Sequence, residues 1–189
     1  MPEIYIIAGA NGSGKSTISK SIVRKINIPI IDPDAIAREI NPLDPKSEAI
    51  AAGKAAINRA QKYINESVSF GVETTLSGKS YLKLMLSLQK KGWIVNLVYI
   101  GIDNPETNIR RVRERVELGG HDVPIDDIIR RYYRSLNNLT QAISMADSVI
   151  IYDNSQRRFS LITTIQDASV SMYVEKYPDW LKELAIEIL

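Results

Sequence analysis

Apolar positions along the chain fall into two alternating patterns, short β-prone runs and longer stretches that repeat at helical spacing. Glu3 to Ala8 is a short apolar run and predicts a buried strand. From Lys15 to Lys25 a helix is predicted, with Ile18, Ile22, Val23 and Ile26 at helical spacing. Ile28 to Ile31 predicts a second strand, ending at Asp32-Pro33-Asp34 because proline cannot donate to a ladder. Pro42 and Pro45 make the next stretch a loop. Ser47 to Glu66 predicts a long helix, with Ser47 as its N-cap and Ile50, Ile57 and Ile64 on one face.

Ser69 to Thr74 predicts a third strand, and Tyr81 to Lys91 a helix carrying Leu82, Met85, Leu86 and Leu88. Ile94 to Ile100 is the most strongly β-prone run. Asn104-Pro105 opens a helix that ends at Gly119-Gly120, and another runs from Ile125 to about Met145. Ser148 to Tyr152 predicts a fifth strand, Phe159 to Ile165 an edge strand, and Asp179 to Leu189 a terminal helix. Strands alternating with helices imply an α/β fold. The expected form is a three-layer α/β/α sandwich around a mainly parallel sheet of five to six strands. Residues 1–189 read as a single domain, with no repeat or linker.

Composition narrows the chemistry. The 189 residues carry a formal charge of only +2, which does not mark a nucleic-acid binder. The chain has no cysteine, so a disulfide scaffold, a thiolate metal site and a cysteine nucleophile are excluded. Absence of disulfides suits the cytoplasm. Met1 to Ala8 reads as a core strand rather than a signal peptide. No run approaches the ~20 apolar residues a spanning helix needs, so no membrane partner is expected.

Between the first strand and first helix stands Gly9-Ala10-Asn11-Gly12-Ser13-Gly14-Lys15-Ser16, which matches G-x-x-x-x-G-K-[ST] at every fixed position. Glycines let the backbone wrap phosphate oxygens and point its N–H groups inward. The helix that follows adds its positive N-terminal end. Lys15 is expected at the β- and γ-phosphates of ATP, and Ser16 on Mg²⁺, with Thr17 the weaker metal candidate. Asn11 and Ser13 are expected to shape the loop. Neither N-K-x-D nor D-x-x-G is present, and no hydrophobic run ends in Asp-Glu. A small-molecule kinase with a P-loop NTPase fold fits the remaining pattern.

Carboxyl ends of parallel strands form the ligand crevice, which brings Asp32, Asp34 and Glu73 near this loop. Asp34 suits the base that takes the acceptor's hydroxyl proton, or it caps a helix turn, as Asp32 also can. Glu73, with Thr75 beside it, can bind a sugar hydroxyl or hold a metal-bound water. Seven arginines lie between positions 110 and 134; Arg111 and Arg115 share a helical face. Most of the seven read as solvated. Gly119-Gly120 reads as a lid hinge or a helix cap, and His121 as fixing that loop. Asp153-Asn154 reads as a nucleotide-base contact or a turn. Trp180, Leu181, Leu184, Ile188 and Leu189 form an apolar set that packs on the sheet or on another subunit.

Taken together, the P-loop, I-D-P-D at 31–34, V-E-T-T at 72–75, R-V-R-E-R-V-E-L-G-G-H-D-V-P at 111–124, R-Y-Y-R-S-L-N-N-L at 131–139 and I-Y-D-N-S at 151–155 resemble the zeta toxin family, in its short chromosomal branch. The resemblance covers about residues 3–155 and leaves the segment after Arg158 without a counterpart. It implies a fold similar to nucleotide and shikimate kinases, and transfer of phosphate from ATP to the 3′-hydroxyl of UDP-N-acetylglucosamine. It implies Asp34 as base on the acceptor hydroxyl, Glu73 and Thr75 at the sugar, and phosphate contacts from Arg115 and from Arg131 or Arg130. A small antitoxin protein is the partner it implies.

Overall fold

The computed structural model describes residues 1–120, 122–156 and 158–188, without the side chains of Glu183 and of residues 185–188. Among the described residues seven strands form one sheet: β1 (Glu3–Ala8), β2 (Ile30–Ile31), β3 (Phe70–Thr74), β4 (Ile94–Gly101), β5 (Ser148–Asp153), β6 (Ser160–Gln166) and β7 (Ser169–Met172). Their order is β2-β3-β1-β4-β5-β6-β7. The first five pair in parallel, and β6 and β7 are antiparallel. Among the described residues seven helices connect or follow them: α1 (Lys15–Ile26), α2 (Pro33–Ile40), α3 (Ala49–Asn65), α4 (Ser80–Gln89), α5 (Pro105–Glu117), α6 (Ile125–Ser144) and α7 (Asp179–Ile188).

Alternation along the strands sends side chains to two faces, each covered by helix. Ile4, Ile6, Phe70, Val72, Val95, Leu97 and Val149 join Ala52, Met85, Leu88, Leu139 and Leu181 in one large core, under α3, α4, α6 and α7. Ile7, Val98 and Ile100 face the other way, against Ile18 and Ile22 of α1. The expected α/β/α class is therefore the observed one, and the sheet is mainly parallel.

The strand count is seven rather than five to six, and β6 is not the edge. The outer strand β7 (Ser-Val-Ser-Met) is exposed throughout, so burial left no mark on its sequence. Its hairpin turns at Asp167 and Ala168, both with positive φ (52° and 59°). Two such residues make the tight primed turn that Asn-Gly or Asp-Gly normally announces, and Asp-Ala carries no such signal.

Helix α2 was also illegible as a helix. Pro33 stops β2 after two residues and then serves as the first helical position, capped by Asp32, whose Oδ1 accepts from the Asp34 amide at 2.9 Å. In α3 the expected cap is corrected: Ser47 instead donates its hydroxyl to the Asp44 carbonyl at 2.8 Å, and Glu48 takes the cap position. The apolar face is corrected too. Ile64 packs partly against the core as expected, but the buried positions are Ala52 and Ala56, whereas Ile50 and Ile57 are 77% and 69% exposed. Small side chains face the core over the first half of α3, where Ile50 and Ile57 are rolled outward, and Tyr63 and Ile64 pack against it near the end.

Trp180 and Leu181 of α7 pack into the core of the same chain. The Trp180 ring lies over Gly101, where any Cβ would collide with it. Leu189 and the side chain of Ile188, which belong to the same expected apolar set, lie outside the described residues, as does His121.

Candidate active site

A polar cleft of about 450 Å³ opens at the carboxyl ends of β1, β2 and β3. It is built around the turn from β1 into α1. Gly14 occupies the N-cap of α1 at φ 98°, a left-handed value that favours glycine. Its surroundings exclude a side chain as well, because a Cβ there would stand 2.8 Å from Asn154 Nδ2 and from the Phe159 ring. At Gly12 a Cβ would likewise stand 2.9 Å from the Asn108 carbonyl oxygen. The loop is thus pressed from behind by α5 and by the segment after β5.

Those neighbours also hold it by hydrogen bonds. Asn108 Nδ2 donates to the Asn11 carbonyl. Asn154 Nδ2 donates to the Ser13 carbonyl at 2.9 Å. Arg131 Nη1 reaches Asn11 Oδ1 at 3.3 Å. Asn11, Ser13, Asn108 and Asn154 are all buried. Gly9, Ala10 and Ser13 form the base of the loop, while Asn11, Gly12, Gly14, Lys15, Ser16 and Thr17 line the cleft. Asp153 accepts from Trp180 Nε1 at 2.9 Å and from the Ser155 hydroxyl at 2.6 Å. The Asp153-Asn154 pair therefore braces the loop and the sheet end from within the protein.

Lys15 folds back across the loop, its Nζ 3.0 Å from the Ala10 carbonyl. Burial pushes its pKa down, against the pull of Glu73, Asp34 and Asp32, and Arg115 adds to the depression. The ammonium is desolvated and close to carboxylates, a state that a bound polyphosphate would relieve.

Glu73 is buried and pairs in register with Ile7 of the neighbouring strand. Its Oε2 accepts from the Ser16 hydroxyl at 2.9 Å, and its Oε1 from the Ser19 hydroxyl. Burial raises its pKa; the Ser19 bond opposes that, Asp32 adds to it, and Ser16 and Lys15 oppose it. Its carboxylate thus points to the phosphate side of the cleft, against the residue expected at the metal. Thr75 lines the cleft and shares a 2.8 Å hydrogen bond with the Ser77 hydroxyl.

On the opposite wall stand Asp32, Pro33, Asp34 and Tyr81. Asp32 is engaged as the α2 cap and lies 3.8 Å from Arg38. Asp34 is exposed in the first turn of α2. Burial, with Asp32 nearby, raises the Tyr81 pKa.

Three arginines complete the lining: Arg111 and Arg115 from α5 and Arg131 from α6. Arg111 donates to the Gln156 carbonyl at 3.0 Å. Arg131 sits 3.3 Å from Asp127. Arg130 is turned away, paired with Asp127 at 2.8 Å, and Arg110 faces Glu114 at 3.8 Å. Beyond α5 the Gly120 amide donates to the Arg115 carbonyl at 2.8 Å, the geometry of a helix cap.

Among the described residues no group of three His, Cys, Asp or Glu side chains could cage a metal. The oxygens of Ser16, Glu73, Asp32 and Asp34 are hard donors. They suit an Mg²⁺ ion that keeps its waters and is held jointly with a polyphosphate. Sequence reasoning missed Ser19, Tyr81 and Asn108. Ser19 lies three residues after Ser16, on the same helical face, and could have been found by that spacing. Asn108 precedes buried Val112 by one turn, so it is a polar residue at a core position. No helix among the described residues is long and apolar enough to cross a membrane.

Comparison with known proteins adds the lineage. The sequence model of the family described as Zeta toxin matches residues 1–164. An uncharacterized protein of Haemophilus influenzae is 40% identical over 124 residues, which is 66% of this chain and 88% of that protein. Among solved structures, AvrRxo1-ORF1:ORF2 with ATP superimposes with a TM-score of 0.71 at 14% identity, covering 100% of this chain and 63% of that one. This chain therefore spans less than two thirds of that relative's length. The PezAT chromosomal toxin–antitoxin system of Streptococcus pneumoniae superimposes with a TM-score of 0.64 at 19% identity, covering 99% and 84%. At these identities the two structures speak for the fold.

Proposed function

The chain belongs to the zeta toxin family, and from that premise we propose that it is an ATP-dependent small-molecule kinase. In this reading it acts as one kinase-like domain in the cytoplasm. It moves the γ-phosphate to a hydroxyl of a sugar nucleotide, such as UDP-N-acetylglucosamine, or of a related metabolite. The observation that carries the reading is the meeting, in one cleft, of a P-loop lysine, an exposed carboxylate at the facing helix terminus and three arginines. The ATP bound by the structural neighbour AvrRxo1-ORF1:ORF2 supports the choice of nucleotide.

In this reading the P-loop amides and Lys15 hold the β- and γ-phosphates, and Ser16 contributes its hydroxyl to Mg²⁺. Glu73, which already accepts from Ser16, orients that hydroxyl. Magnesium, when bound, neutralises phosphate charge. Asp34 orients the acceptor hydroxyl and takes its proton as the oxygen attacks the γ-phosphorus; the bond to the β-phosphate oxygen breaks and ADP leaves. Arg111, Arg115 and Arg131 spread over the transferring group, where planar guanidinium forks match its oxygens. Thr75 lies at the acceptor.

The test is to incubate the protein with ATP, Mg²⁺ and UDP-N-acetylglucosamine or other hydroxylated metabolites, and weigh the products. A gain of one phosphate on the acceptor, lowered roughly 10²–10⁴-fold by Asp34→Asn, is expected. Slow ADP release alone, unchanged in Asp34→Asn, would turn the reading toward a nucleotide-binding regulator. The PezAT likeness supports a second element, a small antitoxin protein that controls the cleft. Co-purification with the product of an adjacent short reading frame, lost when ATP is added, is the matching observation.

A further inference from the structure

A second cavity, of about 390 Å³, opens beside the phosphate cleft, and its walls are mostly apolar. Ile31 of β2 and Val72 of β3 line it, with Ile64 of α3 and Leu84 of α4. No charged side chain lines it. Pro33 and Tyr81 line both cavities and so form the partition between them. Asp34 follows Pro33 directly and faces the cleft. A molecule whose hydroxyl reaches Asp34 therefore has Pro33 and Tyr81 as its next neighbours, with the apolar cavity beyond.

Helix α3 carries an independent sign. Gly53 stands well inside its 17 residues. Glycine weakens a helix interior, and such a residue calls for a reason. Close packing is not the reason here, because a Cβ built on Gly53 meets no atom within 4 Å. Gly53 lines the apolar cavity. A side chain added at this position would meet open space at the cavity wall.

We infer that this cavity is the subsite for the apolar body of the acceptor, which is thus an alcohol carrying a compact aromatic or aliphatic group. The inference rests on the phosphotransfer reading for the position of the hydroxyl. An apolar cavity of ~150 Å³ takes one benzene ring, so the volume here has room for a substituted ring. With no cation in its walls it cannot pair a phosphate or carboxylate. For a sugar nucleotide it would take the base or an acyl group, never the diphosphate. Binding that body remotely holds the hydroxyl at Asp34 and excludes polyols that lack it.

The experiment titrates the full chain with 2-phenylethanol and, in parallel, with glycerol, following methyl signals by NMR. Shifts at Ile31, Ile64, Val72 and Leu84 with 2-phenylethanol, and none with glycerol, are expected. Gly53→Leu should weaken 2-phenylethanol at least tenfold while ATP affinity stays within twofold; Ala60→Leu, from the same wall, should do the same. Equal binding of glycerol, or unchanged 2-phenylethanol affinity in both folded variants, overturns the inference. The readout needs no turnover. Methyl shifts without any phosphorylated acceptor would defeat the kinase reading and leave the subsite standing. A phosphorylated acceptor whose KM is unmoved by Gly53→Leu would defeat the subsite alone.

Discussion

The two walls of the cleft are built on different plans. The phosphate wall is held from behind by side chains far away in sequence: Asn108, Asn154 and Glu73 each bond to the P-loop or the start of α1. The wall that faces it is more local. Asp32 caps its own helix, Asp34 is exposed, and α3 behind them presents Ala52 and Ala56 inward and Ile50 and Ile57 to solvent. A wall that must fit a fixed chemical group, a polyphosphate, is over-determined. In the phosphotransfer reading the facing wall fits one acceptor among many; it is set by few contacts and can change without disturbing the loop.

Three substitutions press on that contrast. Lys15→Met should have the largest effect, removing ~10²-fold or more of transfer by analogy with other preorganised charges. In the same variant the nucleotide-free protein should melt higher, since its buried, depressed ammonium is gone; a single-turnover assay and a melting curve check the two halves. A lower melting temperature would mean that the lysine stabilises the empty loop, contrary to the direction of its pKa. Next, Asn154→Ala should cost about 1–3 kcal/mol by leaving the Ser13 carbonyl buried without that donor. The readout is a fall of several degrees in Tm together with weaker nucleotide binding. If stability fell and nucleotide affinity did not, the bracing would be structural only.

The smallest effect is a matter of pH. Glu73 has a folded pKa above its ordinary value of 4.5. Between those two values the native protein holds a proton that the unfolded chain has released. Stability of the nucleotide-free protein should therefore fall as pH rises through that window. Glu73→Gln, with no charge to bury, should flatten this part of the Tm–pH curve. An unchanged slope would show that another group sets it.

The sequence made the phosphate wall's front visible and hid its back. Gly9 to Ser16 is a local motif with a strand before and a helix after, so it could be read directly. Asn108 and Asn154 lie some hundred or more residues from the loop they hold, and only the fold brings them there. Arg131 and Arg130 could not be separated by spacing, because adjacent helical positions differ only in which way the helix is rolled. Asp127 pairs with both, but only Arg131 also reaches Asn11 and lines the cleft. Most strands were legible from their apolar runs, since they are buried. The exposed β7 was not, and neither was α2, whose opening proline reads equally as the end of a strand.

The position of Trp180 bears on how the protein is made. Strand β4 ends at Gly101 beneath its ring, and its indole nitrogen holds Asp153, the residue before the Asn154 that props the loop. The motif that binds phosphate leaves the ribosome well before Asn108 and Asn154, which hold it, and Trp180, which holds Asp153. Until those residues emerge, the nascent chain would carry an unfinished cradle. Phosphate binding would then switch on as a late step of cotranslational folding rather than accumulate gradually.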